Sequence, residues 1–236
     1  MTEELVREQL GLNKPLPQQY ISYVTGLVKG DLGTSLRTKR PVLTEVQGRY
    51  MNTVQLTLLS LTWSVIAGVL IGVWSGRNRS KWQDYTGMTV AVSGISMPSF
   101  WIGFMLIMVF AVKYRLLPTT GAGSFKNLIL PSITLGVSIA AIIARFTRSS
   151  VIEVLKEDYV RTARAKGLRE KTVIWKHVFR NCMISVVTVV GLQFGFLLGG
   201  SVVTETVFAF PGLGSLLIES VNYRDYPAIQ SLILIF

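Results

Sequence analysis

The sequence predicts an all-α, polytopic membrane helix bundle with about five visible spans, and two observations carry that reading. Half of the 236 residues are apolar and the formal charge is +11, yet the charges are swept into a few islands. Between the islands lie runs without Asp, Glu, Lys or Arg: 50–76, 85–112, 127–144 and 181–204, with a fifth that begins at Tyr226 and is cut at Phe236. About 20 mostly apolar residues cross the hydrocarbon core, and four of the runs meet or approach that length. Packed as core helices of a soluble protein this small, they would leave too little polar surface to cover them. A dispersed charge of this size would point to nucleic acid; charge confined to the links between spans excludes it.

Taken in order, residues 1–49 read as an extracytoplasmic amphipathic segment. "EELVREQLGL" has a helical pattern that Gly11 and Pro15 end, and the next stretch brings Leu16, Tyr20, Tyr23, Val24 and Leu27 to one helical face. Such a face suits the membrane surface or the side of a bundle. "GDLGTS" reads as a turn, and "RPVLTEVQGRYMNT" leads into the first span. Residues 50–236 form the transmembrane core, with spans expected at about 53–74, 88–112, 128–144 and 183–203 and a fifth starting near Pro227. A short helix is expected after Pro211 and Gly212.

Orientation follows from the basic residues of the links. Links 76–84 and 145–181 hold 13 Lys and Arg in 46 residues, whereas 1–49, 113–127 and 204–226 hold 11 over a much longer total. The denser side is cytoplasmic. Residues 1–49 then lie outside, so one preceding span is expected to be missing from this chain.

Ionisable groups buried in a bilayer mark ion and proton sites, and the interiors of these spans carry none. No catalytic residues and no metal ligands are assigned. His177 is the only histidine, no His-Glu-x-x-His pair occurs, and the single Cys182 excludes an internal disulfide. The dipeptide Gly-Lys never occurs, so there is no phosphate loop of the G-x-x-x-x-G-K type. If the chain moves something uphill, the energy must come from a partner. Gly191 and Gly195, four apart in "GLQFGFLLGG", are expected to allow close helix packing.

Segment 145–181 is the largest polar island inside the core. "EDYVRTARAK" is a short helix that Gly167 can end through a left-handed turn, and "REKTVIWKHVFRN" is a second helix leading into the next span. Ala163 and Gly167 are four apart, which suggests a smooth patch ringed by Arg161, Arg164 and Lys166. Three physical readings stand side by side: a loop that only fixes topology, a DNA-reading helix-turn-helix disfavoured by its ties to two spans, and a dock for a cytoplasmic protein.

"EDYVRTARAKGL" with "HVFRN", "ETVFAFPGLGSLLIESVNYRDYPAIQ", "VSGISMPSFWIGFMLI" and "ILPSITLG" resemble the permease subunits of bacterial binding-protein-dependent ABC importers of the peptide and nickel group. The resemblance covers essentially the whole chain. In the wider superfamily the loop carries Glu-Ala-Ala, three residues, then Gly; Arg161, Thr162, Ala163 and Gly167 stand there here. His177, Phe179 and Arg180 replace its later Ile-x-Leu-Pro part, and relatives often have a proline near Ser185.

The resemblance implies the ABC importer permease fold and a coupling helix seated in a cleft of a separate ATPase. The implied coupling residues are Asp158, Tyr159, Arg161, Ala163, Arg164, Ala165, Lys166 and Gly167. Ser93, Ser96, Pro98 and Gln193 are candidate pathway residues, although Ser and Gln also simply bond helices together. Phe210, Pro211, Arg224 and Asp225 are candidates for an outer gate or binding-protein contact. No cofactor is expected on this chain; ATP and Mg would sit in two partner ATPase subunits. A second, homologous permease chain, an extracytoplasmic substrate-binding protein and the lipid bilayer complete the expected partners, in a bacterial inner membrane. Peptides, glutathione or a metal complex such as nickel are the cargo classes, and a non-transporting membrane anchor is the alternative from another class.

Overall fold

The computed structural model describes residues 13–236. The helical pattern expected over "EELVREQLGL" lies outside the described residues. Among those described, the regular structure is helical apart from one isolated bridge, Thr34 to Pro41. The helices are α1 (Leu16–Val28), α2 (Val42–Arg77), α3 (Trp82–Ser96), α4 (Ser99–Leu106), α5 (Phe125–Val154), α6 (Asp158–Ala165), α7 (Glu170–Thr172), α8 (Arg180–Val207), α9 (Leu213–Asn222) and α10 (Tyr226–Ile235). Wider, π-helical turns extend α4 over Ile107–Lys113 and join α7 to α8 over Val173–Phe179. The chain divides into two compact units: the described residues up to Arg49 with Leu217–Phe236, and Tyr50–Leu216.

Three stretches of the larger unit and its flanks are long and apolar enough to cross a membrane: Val42–Arg77, Phe125–Val154 and Glu170–Gly199. The second expected span is a bent pair, α3 with Ser99–Lys113, bent by 100° between its halves. The expected straight span over 88–112 is therefore broken, and Pro98 explains why. Its ring disfavours helical backbone at the residue before it, and Met97 is extended at φ −87°, ψ 130°. The fifth expected span is represented by α10, with 10 residues.

The seam between α2 and α5 is built on glycine. Gly68, Gly72 and Gly76 recur every fourth residue, so they share one face of α2. A Cβ on Gly68 would lie 2.6 Å from the Ala140 carbonyl, one on Gly72 2.5 Å from Thr147 Cβ, and one on Gly76 2.8 Å from Val151 Cγ1. The helices thus approach to backbone distance, which lipid-embedded helices need because packing, rather than water exclusion, holds them together. In return, Gly136 of α5 leaves room for Trp63 and Ser64 of α2. The Trp63 indole N–H donates to the Ser132 carbonyl at 3.0 Å, and the Ser64 hydroxyl to the Gly136 carbonyl at 2.8 Å.

Among the described residues, Gly191 and Gly195 do not pack against another helix of this chain. Neither has any atom within 4 Å of where a Cβ would stand, and neither does Gly199. They lie on the open side of α8 with Ile184, Leu192 and Phe196, each at least 70% exposed. Only 17% of the most apolar window of Glu170–Gly199 is buried within the chain, against 44% and 56% for the other two spans. The spacing of those glycines was legible; which side of the helix faces inward depends on Cys182, Val186 and Leu197, the fully buried apolar residues of α8.

In the smaller unit, α1 buries none of its residues. The following turn uses left-handed Gly30 and Gly33, and the Asp31 carboxylate accepts the Gly33 N–H at 2.9 Å. The Ser231 hydroxyl of α10 donates to the Leu32 carbonyl at 2.8 Å, fixing the turn to that helix.

Candidate coupling segment and transport pathway

α6 is short, polar outside and apolar inside. Val160 and Ala163, three apart on one face, are buried with Val173, Ile174 and Val178 in the same core. Full burial of a valine-sized side chain contributes about 1.5–3 kcal/mol, enough to fix which face of so short a helix turns inward. This corrects the expected patch. Ala163 is 5% exposed and serves the chain's own core, while Ala165, Lys166 and Gly167 are exposed. The i, i+3 pair of Val160 and Ala163 was the sequence signal for it.

Gly167 ends α6 as expected. Its φ is +74°, and the Gly167 N–H reaches the Arg164 carbonyl at 2.9 Å while the Leu168 N–H reaches that of Ala163 at 3.4 Å. These are the two bonds of a Schellman turn. No atom lies within 4 Å of the position a Gly167 Cβ would take, so the glycine is required by backbone conformation, not by crowding.

The charged residues divide. Arg161 and Asp158 approach at 3.5 Å with side chains 74% and 95% exposed, a pair that water screens almost fully. Arg164 is committed within the chain: its Nη2 and Nε donate to the two Glu170 oxygens at 2.8 and 3.2 Å. It therefore ties the last turn of α6 to the first residue of α7. Asp158 opens the helix, and the Thr162 hydroxyl returns to its carbonyl at 2.9 Å. Partial burial, and next the nearby Glu157 carboxylate, push the Tyr159 phenol upward. The segment is a hairpin held by an apolar floor and one bidentate ion pair.

The candidate pathway residues scatter. Ser93 and Ser96 of α3 line one open groove with Tyr85, Thr89, Met97 and Arg148. Their hydroxyls donate to the Thr89 and Val92 carbonyls of their own helix at 2.8 and 3.0 Å. Pro98 makes the bend, and Gln193 is half-buried on α8, outside that groove. At one end of the groove sits a pair that the sequence did not announce. Asp84, 3% exposed, accepts two hydrogen bonds from Arg148, 64 residues away.

Two of the outer-gate candidates are interior residues. Phe210 is 1% exposed and Asp225 2%. The Asp225 carboxylate accepts the Ser35 hydroxyl at 2.5 Å, the Leu36 N–H at 3.0 Å and the Arg37 N–H at 3.4 Å, so it organises the loop before α2 rather than facing outward. Pro211 is half-buried, with its carbonyl taken by the Asn52 amide at 2.8 Å. Arg224 is exposed in a left-handed conformation, φ 55°. In the same unit Glu219, absent from the expected sites, binds Arg49 through both oxygens at 3.0 and 3.1 Å and Arg37 at 3.2 Å. The Arg49 hydrogen bonds hold its carboxyl below the usual range. Among the described residues, no group of three or more His, Cys, Asp or Glu is placed to hold a metal.

Residues 68–236 match the family model described as the binding-protein-dependent transport system inner membrane component. The glutathione transport system permease protein GsiC of Pectobacterium atrosepticum is 54% identical over 233 residues, which cover 99% of this chain and 76% of that protein. The protein of the same name from Escherichia coli K12 shows the same identity and coverage. Among solved structures, inward-facing MetNI methionine ABC transporter superposes with a TM-score of 0.69 at 18% identity, over 81% of this chain and 87% of that one. An amino acid ABC transporter gives 0.64 at 17% identity, over 82% and 86%. With a helical permease fold, a polar hairpin between two spans and these matches together, the chain belongs to the family of binding-protein-dependent ABC importer permeases.

Proposed function

We propose that this permease subunit forms half of an inward route for peptide-like solutes, with glutathione the first candidate. The observation that carries the cargo class is 54% identity to glutathione transport permeases across nearly the whole chain. In this reading a second, homologous permease chain supplies the other half of the route. Two separate ATPase subunits bind ATP and Mg, an extracytoplasmic binding protein delivers the solute, and the assembly sits in a bacterial inner membrane. The chain itself performs no hydrolysis.

Exposed Asp158, Tyr159, Arg161, Ala165, Lys166 and Gly167 form the surface an ATPase cleft would grip. Ala163 and Arg164 stiffen that surface from behind. Because the Arg164–Glu170 pair and the Val160 floor hold α6 on the following helix, a push on α6 travels as rigid-body displacement. A ligand or nucleotide can shift such an equilibrium only through contacts that differ between its two states, and closure of the ATPase pair on α6 supplies that difference.

Reconstitution of the chain in proteoliposomes with a homologous second permease, ATPase subunits and a binding protein of this family tests the reading. ATP-dependent uptake of labelled glutathione is expected, and Gly167→Glu is expected to abolish it while the permease pair still assembles. Full uptake by the Gly167→Glu complex would refute α6 as the coupling element. Uptake of a dipeptide but never of glutathione would move the cargo assignment within the same family.

A further inference from the structure

Glu205, near the end of α8, has no accessible surface. Its carboxylate is held by neutral donors: the Thr53 hydroxyl of α2 at 2.8 Å, the Ser201 hydroxyl of α8 at 3.0 Å and the Ser215 N–H of α9 at 3.0 Å. Thr53 continues the network, accepting the Leu213 N–H at 2.8 Å. Leu213 and Ser215 belong to the first turn of α9, whose N–H groups have no partners within that helix. The carboxylate and the threonine therefore satisfy a helix N-terminus that carries partial positive charge. A buried carboxylate is costly unless hydrogen bonds replace its water, and here three neutral donors from three helices do so.

The loop between α8 and α9 is shaped around this group. A Cβ on Gly212 would overlap the carboxylate, and one on Gly214 would stand 3.0 Å from Oε2 and 2.5 Å from Val202 Cα. The Phe210 N–H bonds the Glu205 carbonyl at 2.8 Å, and the Asn52 amide holds the Pro211 carbonyl at 2.8 Å. "ETVFAFPGLGS" thus reads as one device: an acid, a return loop, and two glycines that make room for the acid.

Glu205 also stands at the far end of a continuous helical rod. From Glu170 through α7, the π-helical turns and α8 to Val207 the chain is helical without a break. Arg164 fastens the near end of that rod to α6.

We propose that Glu205 is a positioning residue for transport, the clamp that makes loop 208–212 and the start of α9 move with α8 and with α2 at Thr53. The proposal rests on the importer reading but concerns a different part of the chain from the coupling surface.

The test uses the assembled complex in proteoliposomes, in a Cys182→Ala background, with spin labels at Leu192 and Ala209, both exposed. With Glu205 present, the distance between the labels is expected to stay narrow with and without ATP and vanadate. With Glu205→Ala the distribution is expected to broaden at least twofold. Uptake per assembled complex is expected to fall at least tenfold, with basal ATP hydrolysis unchanged. Thr53→Val is expected to lower uptake several-fold and Thr53→Ser to preserve it, a contrast that decides the matter should Glu205→Ala fail to assemble. Unchanged label distances and uptake in Glu205→Ala, or equal uptake by the two Thr53 variants, would overturn the clamp. If unlabelled wild-type complex takes up no glutathione, the cargo reading fails and the label distances still decide the clamp.

Discussion

Arg148 of α5 holds Asp84 of α3 through two hydrogen bonds, Nε to Oδ1 at 2.6 Å and Nη2 to Oδ2 at 2.7 Å. The two ends of this pair are not equivalent. The Asp84 side chain is 4% exposed and that of Arg148 30%. Removing Arg148 leaves a buried carboxylate with the Ser80 N–H, at 3.0 Å, as its remaining hydrogen bond in the structure. Removing Asp84 leaves a guanidinium that can still reach polar surroundings. Breaking a buried pair costs about 3–5 kcal/mol when the orphaned charge stays buried. Arg148→Ala is therefore expected to lower the melting temperature in detergent clearly more than Asp84→Ala, with the double variant no worse than Arg148→Ala. Equal losses from the two single variants would contradict the asymmetry.

The glycines of α2 and α8 make a second, paired prediction. Gly72→Ala drives a methyl group to 2.5 Å from Thr147 Cβ and 2.6 Å from the Ala144 carbonyl. Overpacking of this kind costs about 1–3 kcal/mol, and a carbonyl on the partner helix cannot swing aside. Gly191→Ala meets no atom within 4 Å, and in an open helix position it gains about 0.5–1 kcal/mol from backbone entropy. Thermal unfolding of the isolated chain in detergent should move in opposite directions for the two. Lost transport by Gly191→Ala without lost stability would place a second chain on that face of α8.

These contrasts show what the sequence could and could not reveal. Uncharged run lengths located the three long apolar helices and the bent pair, because the cost of a charge in hydrocarbon acts residue by residue. The break at Met97 was missed although Pro98 was noted, since a run of apolar residues reads the same whether straight or bent. Gly167 was legible because its role is local, a left-handed turn after a helical pattern. Ala163 was misplaced because it could serve an inner or an outer face, and only its pairing with Val160 decides. Asp84 with Arg148, and Glu205 with Thr53, were invisible for a different reason: each joins residues far apart in sequence, and nothing local to either partner names the other.

The two small residues of α6 give a direct test of that assignment. Ala163→Glu places a carboxylate in an apolar floor beside Val160 and Val178 and is expected to lose the folded hairpin, read as protease sensitivity within 145–181. Ala165→Glu lies on the exposed side and is expected to keep the fold and the melting temperature while reducing ATPase co-purification at least fivefold. Co-purification that survives Ala165→Glu would remove this face from the docking surface.

Arg164 and Glu170 are separable by charge reversal. Arg164→Glu sets two carboxylates opposite each other and is expected to reduce coupled uptake, and adding Glu170→Arg is expected to restore most of it. Both side chains are more than 40% exposed, so the pair contributes at most about 1 kcal/mol to stability, and melting temperatures should barely move. An outward contact with the ATPase predicts otherwise, because the double reversal would still present an acid where the partner meets a base, and uptake would not recover.

Glu219 gives a pH dependence whose sign follows from its neighbours. Hydrogen bonds from Arg49, supported by the charge of Arg37, hold its carboxyl below the ordinary glutamate range in the folded chain. A group depressed by folding binds fewer protons folded than unfolded in the window between its two pKa values, so stability rises with pH there. The contribution is complete above the unfolded value of about 4.3 and is lost as pH falls through the lower, folded one. Wild type should therefore exceed Glu219→Gln in melting temperature at pH 7, and the gap should close as the pH drops below 4. Because Glu219 is 38% exposed, salt screens part of the effect, and raising the ionic strength should narrow the same gap at neutral pH. A gap that widened in acid would mean that Glu219 is stabilised in its protonated form and that Arg49 is not its principal partner.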